Sequence, residues 1–362
     1  MAAASRGSHQ EIVLVAGSYE GQLVGFSIAA SSLGSSAAAP AAATPLFAFK
    51  AHDGCIRAAA AAADHLVTGS TDNTLGVYNL RKRRAHGSLL QEGGGGAVSA
   101  LSFYGGTHLL SGGGDGDVCI WRTSDWECLL RMKGHSAPIE ALAVHPSGRL
   151  ALSVCAGRKL RLWNLQTGKC NYTSALPQPT RVLLWTPRGD AYVTAAGSAL
   201  RLHALGGDAA PVEMLHERPP AAAAFASEDV LASGGASGAI ELWDAGSGER
   251  LSQAAAAHAS RIKCLVSTFR SCGGGGAHLS SASTDGSIRL WRLVAAGASE
   301  PARLESLLLL RTSLRLTALC ASLVSHQAGS AVALRVAAGR LAGGPEGAEA
   351  EVAEVADGEE EE

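Results

Sequence analysis

The stretch STDGSIRLW, Ser283 to Trp291, places an Asp at position 285 and a Trp six residues later, around the turn TDGS. Asp and Gly accept tight two-strand turns, and SIRLW alternates as a half-buried strand does. The same phrase recurs along the chain. GGGDGDVCIW ends at Trp121 with Asp115 six residues earlier, and GSTDNTLGVY ends at Tyr78 with Asp72 in that place. VCAGRKLRLW ends at Trp163 with Gly157 in the Asp position, and SGGASGAIELW ends at Trp243 with Ser237 there. Two weaker echoes end at His203 and Phe26. The seven end points are spaced by 52, 43, 42, 40, 40 and 48 residues.

A repeat of about 40–45 residues with this signature is that of a WD40 β-propeller, four strands to a blade. The reading is an all-β, seven-bladed propeller over residues 11–340. Each repeat parses as strands d, a, b and c. In the last repeat ERLSQAA is d, RIKCLVS is a, HLSSAS is b and SIRLWRL is c. Residues 11–28 supply only b and c, whereas LESLLLL and LRLTALCASL near the other end read as d and a. The first blade is therefore expected to draw on both ends of the chain, so that N- and C-terminal strands pair and close the ring. ASSLGSSAAAPAAATP (Ala30–Pro45) reads as a c–d loop, SCGGGGAH (Ser271–His278) as an a–b loop, and the Ala-rich IRAAAAAADHL as strand a with its turn.

The recurring polar residues have a structural reading. His258, Ser281, Asp285 and Trp291 can meet in one buried tetrad, the Asp accepting from the His ring and turn amides, the His and the indole N–H reaching the Ser. Unpaired, such buried groups would cost about 1–3 kcal/mol each. His52, Thr68, Asp72 and Tyr78 form a second complete set. Ser111, Asp115 and Trp121 form a partial one with Gly94 in the His place, and His135, Ser153 and Trp163 another that lacks the Asp. A His–Asp–Ser set invites comparison with a hydrolase triad, but it recurs in pieces around the ring and its Ser lies within a strand.

No P-loop, HExxH, nucleophile elbow or EF-hand loop is present, so no catalytic residue, cofactor, metal or small-molecule substrate is expected. The eight cysteines show no CxxC spacing and read as small buried hydrophobes. No apolar run reaches the length of a membrane span or a signal-peptide core. Net charge is −2, yet residues 345–362 hold nine acids and no base, which leaves residues 1–344 with 30 bases against 23 acids, about +7. The expectation is a mildly basic body with a disordered acidic tail over 345–362, suited to an anionic partner. RKRR (Arg81–Arg84) reads as a solvated loop, a weak nuclear import signal or a phosphate-binding patch. Top-face loops carrying Arg57, Arg158, Lys159 and Arg261 are the candidate partner-binding positions.

Longer phrases carry a more specific likeness. LVAGSYEGQLVGF, LSFYGGTHLLSGGGDGDVCIW, SDWECLL, AVHPSGRLALSV, NLQTGKC, WTPRGDAYV and SASTDGSIRLWRL occur in that order across residues 12–324. They resemble the PAK-interacting WD-repeat proteins. The resemblance implies a nuclear or nucleolar scaffold on pre-ribosomal particles that assists large ribosomal subunit assembly. Its partners would be ribosomal proteins, assembly factors and rRNA. The same resemblance implies binding and restraint of PAK-type kinases in animals. Members of that family usually end in a Lys-rich tail, whereas this chain ends in EVAEVADGEEEE.

Overall fold

The computed structural model describes residues 9–33, 42–90, 96–206, 210–268, 278–295 and 301–326. They form seven four-stranded antiparallel sheets. Apart from a single 3-10 turn at Ala30–Leu33, the secondary structure of the described residues is all β. The inner strands, one per blade, are Leu316–His326, Ile56–Ala62, Ala100–Tyr104, Ile139–Val144, Leu183–Trp185, Pro220–Phe225 and Ile262–Ser267. The Ala-rich segment is thus an inner strand, where small side chains suit the crowded centre and repeat context overrides helix propensity. The seven hydrophobic clusters draw mostly on side chains from adjacent blades, as when Ile139, Leu142 and Trp163 pack on Leu110, Val118 and Met132. Layered burial between neighbouring sheets is what holds a propeller together.

The ring closes where Leu316–His326 pairs antiparallel with His9–Ser18, in register from His9 against His326 to Gly17 against Ala318. That closure corrects one detail of the strand parse. LESLLLL does not join the first blade: it lies in Arg303–Arg311, the outer strand of the seventh sheet. The outer strand of the first blade is Ala43–Lys50, and ERLSQAA likewise edges the sixth sheet through Arg250–Ala254. Each strand d pairs directly with the strand c that precedes it in the chain, so the sequence repeat is offset by one strand from the structural blade. Two loop boundaries also shift. Ala43–Pro45 begins a strand instead of ending a loop, and His278 opens the strand His278–Ser283. The rest of the a–b loop over 271–277, Gly94, residues 327–340 and the acidic tail over 345–362 lie outside the described residues.

Two local devices repeat. In six blades the pairing of strands c and d shifts register at the aromatic end point, at Gly25/Phe26, Val77/Tyr78, Ile120/Trp121, Leu162/Trp163, Leu242/Trp243 and Leu290/Trp291. A β-bulge re-aims the side chain it carries. The b–c turns place a residue at positive φ in every blade, a glycine in five and Asn73 and Arg158 in the other two. At Gly286 (φ 81°) the need is double, since a Cβ would also lie 2.2 Å from the carbonyl oxygen of Thr312.

Candidate functional site

Two polar systems stand out: the networks sealed between strands, and the mouth of the central channel.

In the second blade His52 is buried, with Nε2 2.7 Å from Thr68 Oγ1 and Nδ1 3.0 Å from Asp72 Oδ2. Asp72 also accepts from the amides of Asp53 (3.1 Å) and Thr74 (3.0 Å). Burial alone would raise its pKa, but the hydrogen bonds from Thr74 and the nearby His52 hold it at about 2. Tyr78 takes the Trp place because Gly76 leaves space. A Cβ at 76 would lie 2.7 Å from the Tyr78 hydroxyl and 2.8 Å from Thr68 Oγ1.

In the seventh blade Ser281 Oγ, fully buried, receives the Trp291 indole N–H at 2.8 Å and lies 2.6 Å from His258 Nε2. A direct His258–Asp285 bond is not what forms. His258 Nδ1 meets Ser287 Oγ at 2.6 Å, and Asp285 accepts from the Ser287 hydroxyl and amide and from the Ala259 amide at 3.0 Å. Ser287, directly after the turn glycine, sits between the His258 ring and the Asp285 carboxylate. Burial first, with Arg289 adding, outweighs Asp285 and lowers the His258 pKa to about 4.

The partial sets differ from one another. Trp121 donates to Ser111 at 2.8 Å, and Asp115 is held by Arg131 from the outer strand, at 3.0 Å. His135 Nε2 lies 2.6 Å from Ser153 Oγ, which also accepts from Trp163 at 2.7 Å. With Gly157 in the Asp position, His135 Nδ1 is buried with no partner, and burial followed by Arg161 and Lys159 lowers its pKa to about 4. A further set was missed in the sequence: His216 Nε2 lies 2.7 Å from Ser233 Oγ, which accepts from Trp243 at 2.9 Å. The signal was present, since His216 precedes Trp243 by 27 residues, much as His52 precedes Tyr78 by 26 and His135 precedes Trp163 by 28. The fifth blade is reduced to Thr194 Oγ1 and His203 Nε2 at 3.1 Å.

The second system forms where the inner strands begin. Their N-terminal ends surround an open cavity of about 700 Å³ on the propeller axis. Arg57 and Arg261 line it, joined by Arg181, Lys263 and Arg315, which the sequence reading did not single out. The sign they share is position: Arg315 directly precedes an inner strand, Arg181 lies two residues before one, and Lys263 is the second residue of one. Arg181 is engaged by Glu140 at 2.6 Å, and the Arg315 guanidinium lies 5.2 Å from the ring centre of Tyr19. Arg158 and Lys159 lie elsewhere, exposed on the b–c turn of the fourth blade and outside the cavity lining. Arg158 holds φ at 58° and reaches the Pro177 carbonyl at 3.4 Å. Among the described residues no three His, Cys, Asp or Glu side chains are grouped to hold a metal, and no helix is long and apolar enough to cross a membrane.

Ring, repeat turns and indole–serine pairs together define a seven-bladed WD40 propeller. The WD domain, G-beta repeat family matches at residues 87–122, 126–164 and 251–292, spans that end just past Trp121, Trp163 and Trp291. The chain is 34% identical over 278 residues to "p21-activated protein kinase-interacting protein 1-like" of Danio rerio, covering 76% of this chain and 73% of that one. It is 36% identical to the Gallus gallus protein of the same name over 281 residues, 77% and 72% of the two chains. A Xenopus laevis protein, again so named, is 33% identical over 249 residues, 68% and 66%. The chain belongs to this p21-activated protein kinase-interacting protein 1 family of WD-repeat proteins.

Proposed function

We propose that the protein is a non-enzymatic scaffold that binds pre-ribosomal particles in the nucleus and nucleolus and assists large ribosomal subunit assembly. The observation that carries the scaffold reading is the sealing of its polar networks. Ser281, Ser153 and Ser233 are fully buried, and His258, His135 and His52 are 5–6% exposed. A nucleophile must meet its substrate, so these sets serve the fold and leave the rigid outer surface to bind. A rigid surface binds without a large ordering cost. The ribosomal part is supported by the ordered family phrases across residues 12–324 and by the basic balance of residues 1–344, about +7, which favours particles rich in RNA. Ribosomal proteins, assembly factors and rRNA are the partners in this reading.

Depletion followed by sucrose-gradient profiling tests it, with the tagged protein tracked through the gradient. Co-sedimentation with large-subunit precursors and a fall of free large relative to small subunits are expected. Normal subunit ratios with the protein in light fractions would overturn the reading.

A second reading is restraint of a PAK-type kinase through direct binding; the names of the relatives favour the binding part. Its test is whether the purified propeller slows such a kinase in a defined assay.

A further inference from the structure

We propose that the channel mouth at the start of the inner strands is a binding site for an acidic peptide segment of a partner protein, inserted along the propeller axis. The proposal rests on the reading of the propeller as a binding scaffold and names the chemistry of one thing it binds.

Charge is the first argument. Five basic side chains and a single carboxylate, Glu140, line the cavity. Glu140 is paired with Arg181. Among the described residues Arg57, Arg261, Lys263 and Arg315 have no carboxylate within ion-pair distance. These four come from three consecutive blades, the seventh, first and second, so they form one arc at the point of ring closure. Like charges gathered in a recess repel, and an anion entering the recess relieves that repulsion. The pKa of Lys263 is lowered, by burial and then by Arg261, Arg181 and Arg315, in accord with cations facing one another across the mouth.

The shape selects among anions. The cations are spread along a rim instead of converging on one point, which suits carboxylates spaced along a chain better than a compact phosphate cluster. Within and beside this arc the wall is small and neutral, with Thr317 inside it and Ser99 and Ala221 flanking it, so a peptide backbone can descend there. Single-stranded RNA would want open aromatic faces on which bases stack. The exposed aromatic at this mouth, Tyr19, has its ring engaged by Arg315.

The test is fluorescence anisotropy on the full chain with a labelled decapeptide of alternating Glu and Gly. Oligouridine and tripolyphosphate are titrated in parallel. The double variant Arg57→Glu with Lys263→Glu should weaken peptide binding about tenfold or more. The neutral pair Arg57→Gln with Lys263→Gln should fall between it and the parent, which guards against a fold defect in the first. Arg158→Glu with Lys159→Glu, on the same face but outside the cavity, should bind as the parent does. The proposal is overturned if the mouth variants bind the peptide unchanged, or if the Arg158/Lys159 variant loses binding equally. It is also overturned if oligouridine or tripolyphosphate binds the mouth more tightly than the peptide. Gradient sedimentation of the same mouth variant keeps the two readings apart. Loss of peptide binding with normal sedimentation leaves the particle reading standing, and light-fraction sedimentation of a parent chain that binds the peptide removes the particle reading alone.

Discussion

Arg131, from the outer strand of the third blade, lies 3.0 Å from the carboxylate of Asp115 and also engages Asp117 through its Nε. Both carboxylates are largely buried, at 14% and 10% side-chain exposure. In this blade the turn Asp is partnered from strand d, whereas Asp72 in the second blade is partnered by His52. Arg131→Met should therefore remove the cation that Asp115 and Asp117 share, while Asp115 keeps the Asp117 amide as a donor, and lower unfolding stability by about 1–2 kcal/mol. Urea denaturation would check it; a change within about 0.5 kcal/mol would assign the pair no structural role.

Asp285→Ala should cost about 1–3 kcal/mol, because the Ala259 and Ser287 amides lose their acceptor and Ser287 loses its anchor beneath His258. Thermal unfolding reads the effect directly. Unchanged stability together with lost partner binding would mark Asp285 as a contact residue.

Stability should fall as pH drops from about 6.5 towards 4. His135 and His258 have pKa values near 4 in the fold, against about 6.5 in the unfolded chain. Between those limits the unfolded state binds more protons, so lowering pH favours it, with roughly 2–4 kcal/mol at stake for each ring. Below this window Asp72, held at about 2, adds a further loss as it protonates. Denaturant midpoints between pH 7 and pH 4 would show the trend, and a flat profile would contradict the burial of the two rings as neutral species.

Gly157→Asp should supply the acceptor that His135 Nδ1 lacks. Position 157 has room, since a Cβ there meets Ala137 at 3.4 Å and Cys155 Sγ at 3.5 Å. The expected gain is about 0.5–1.5 kcal/mol at neutral pH, with the His135 pKa moving up in an NMR titration. A destabilised variant would show that this turn cannot aim the carboxylate at the ring.

Removing residues 345–362 changes net charge from −2 to about +7. Binding to RNA or to anionic particles should tighten at low salt, and the gain should shrink as screening rises. Equal affinity for both chains at low and high salt would mean the tail does not shield the body.

The repeat itself was legible in the sequence. The aromatic end points, the turn Asp or Gly six residues earlier and the alternation of short strands are written in consecutive residues, because a β-hairpin is a local object. Ring closure was legible too, since His9–Ser18 lacked an inner partner and the far end of the chain had one to offer. Other features were decided by tertiary structure alone. Which sheet Arg303–Arg311 edges depends on pairing energy between strands. The link of His258 to Asp285 through Ser287 depends on where a turn aims its side chains, and the pairing of Arg131 with Asp115 on how far an outer-strand side chain reaches. The channel mouth is the clearest case. The repeat pointed to Arg57 and Arg261 as top-face positions, but Arg181, Lys263 and Arg315 are scattered through the chain and no motif groups them. They become one electrostatic object only when seven inner strands are wound around a common axis, because charge adds through space and not along sequence.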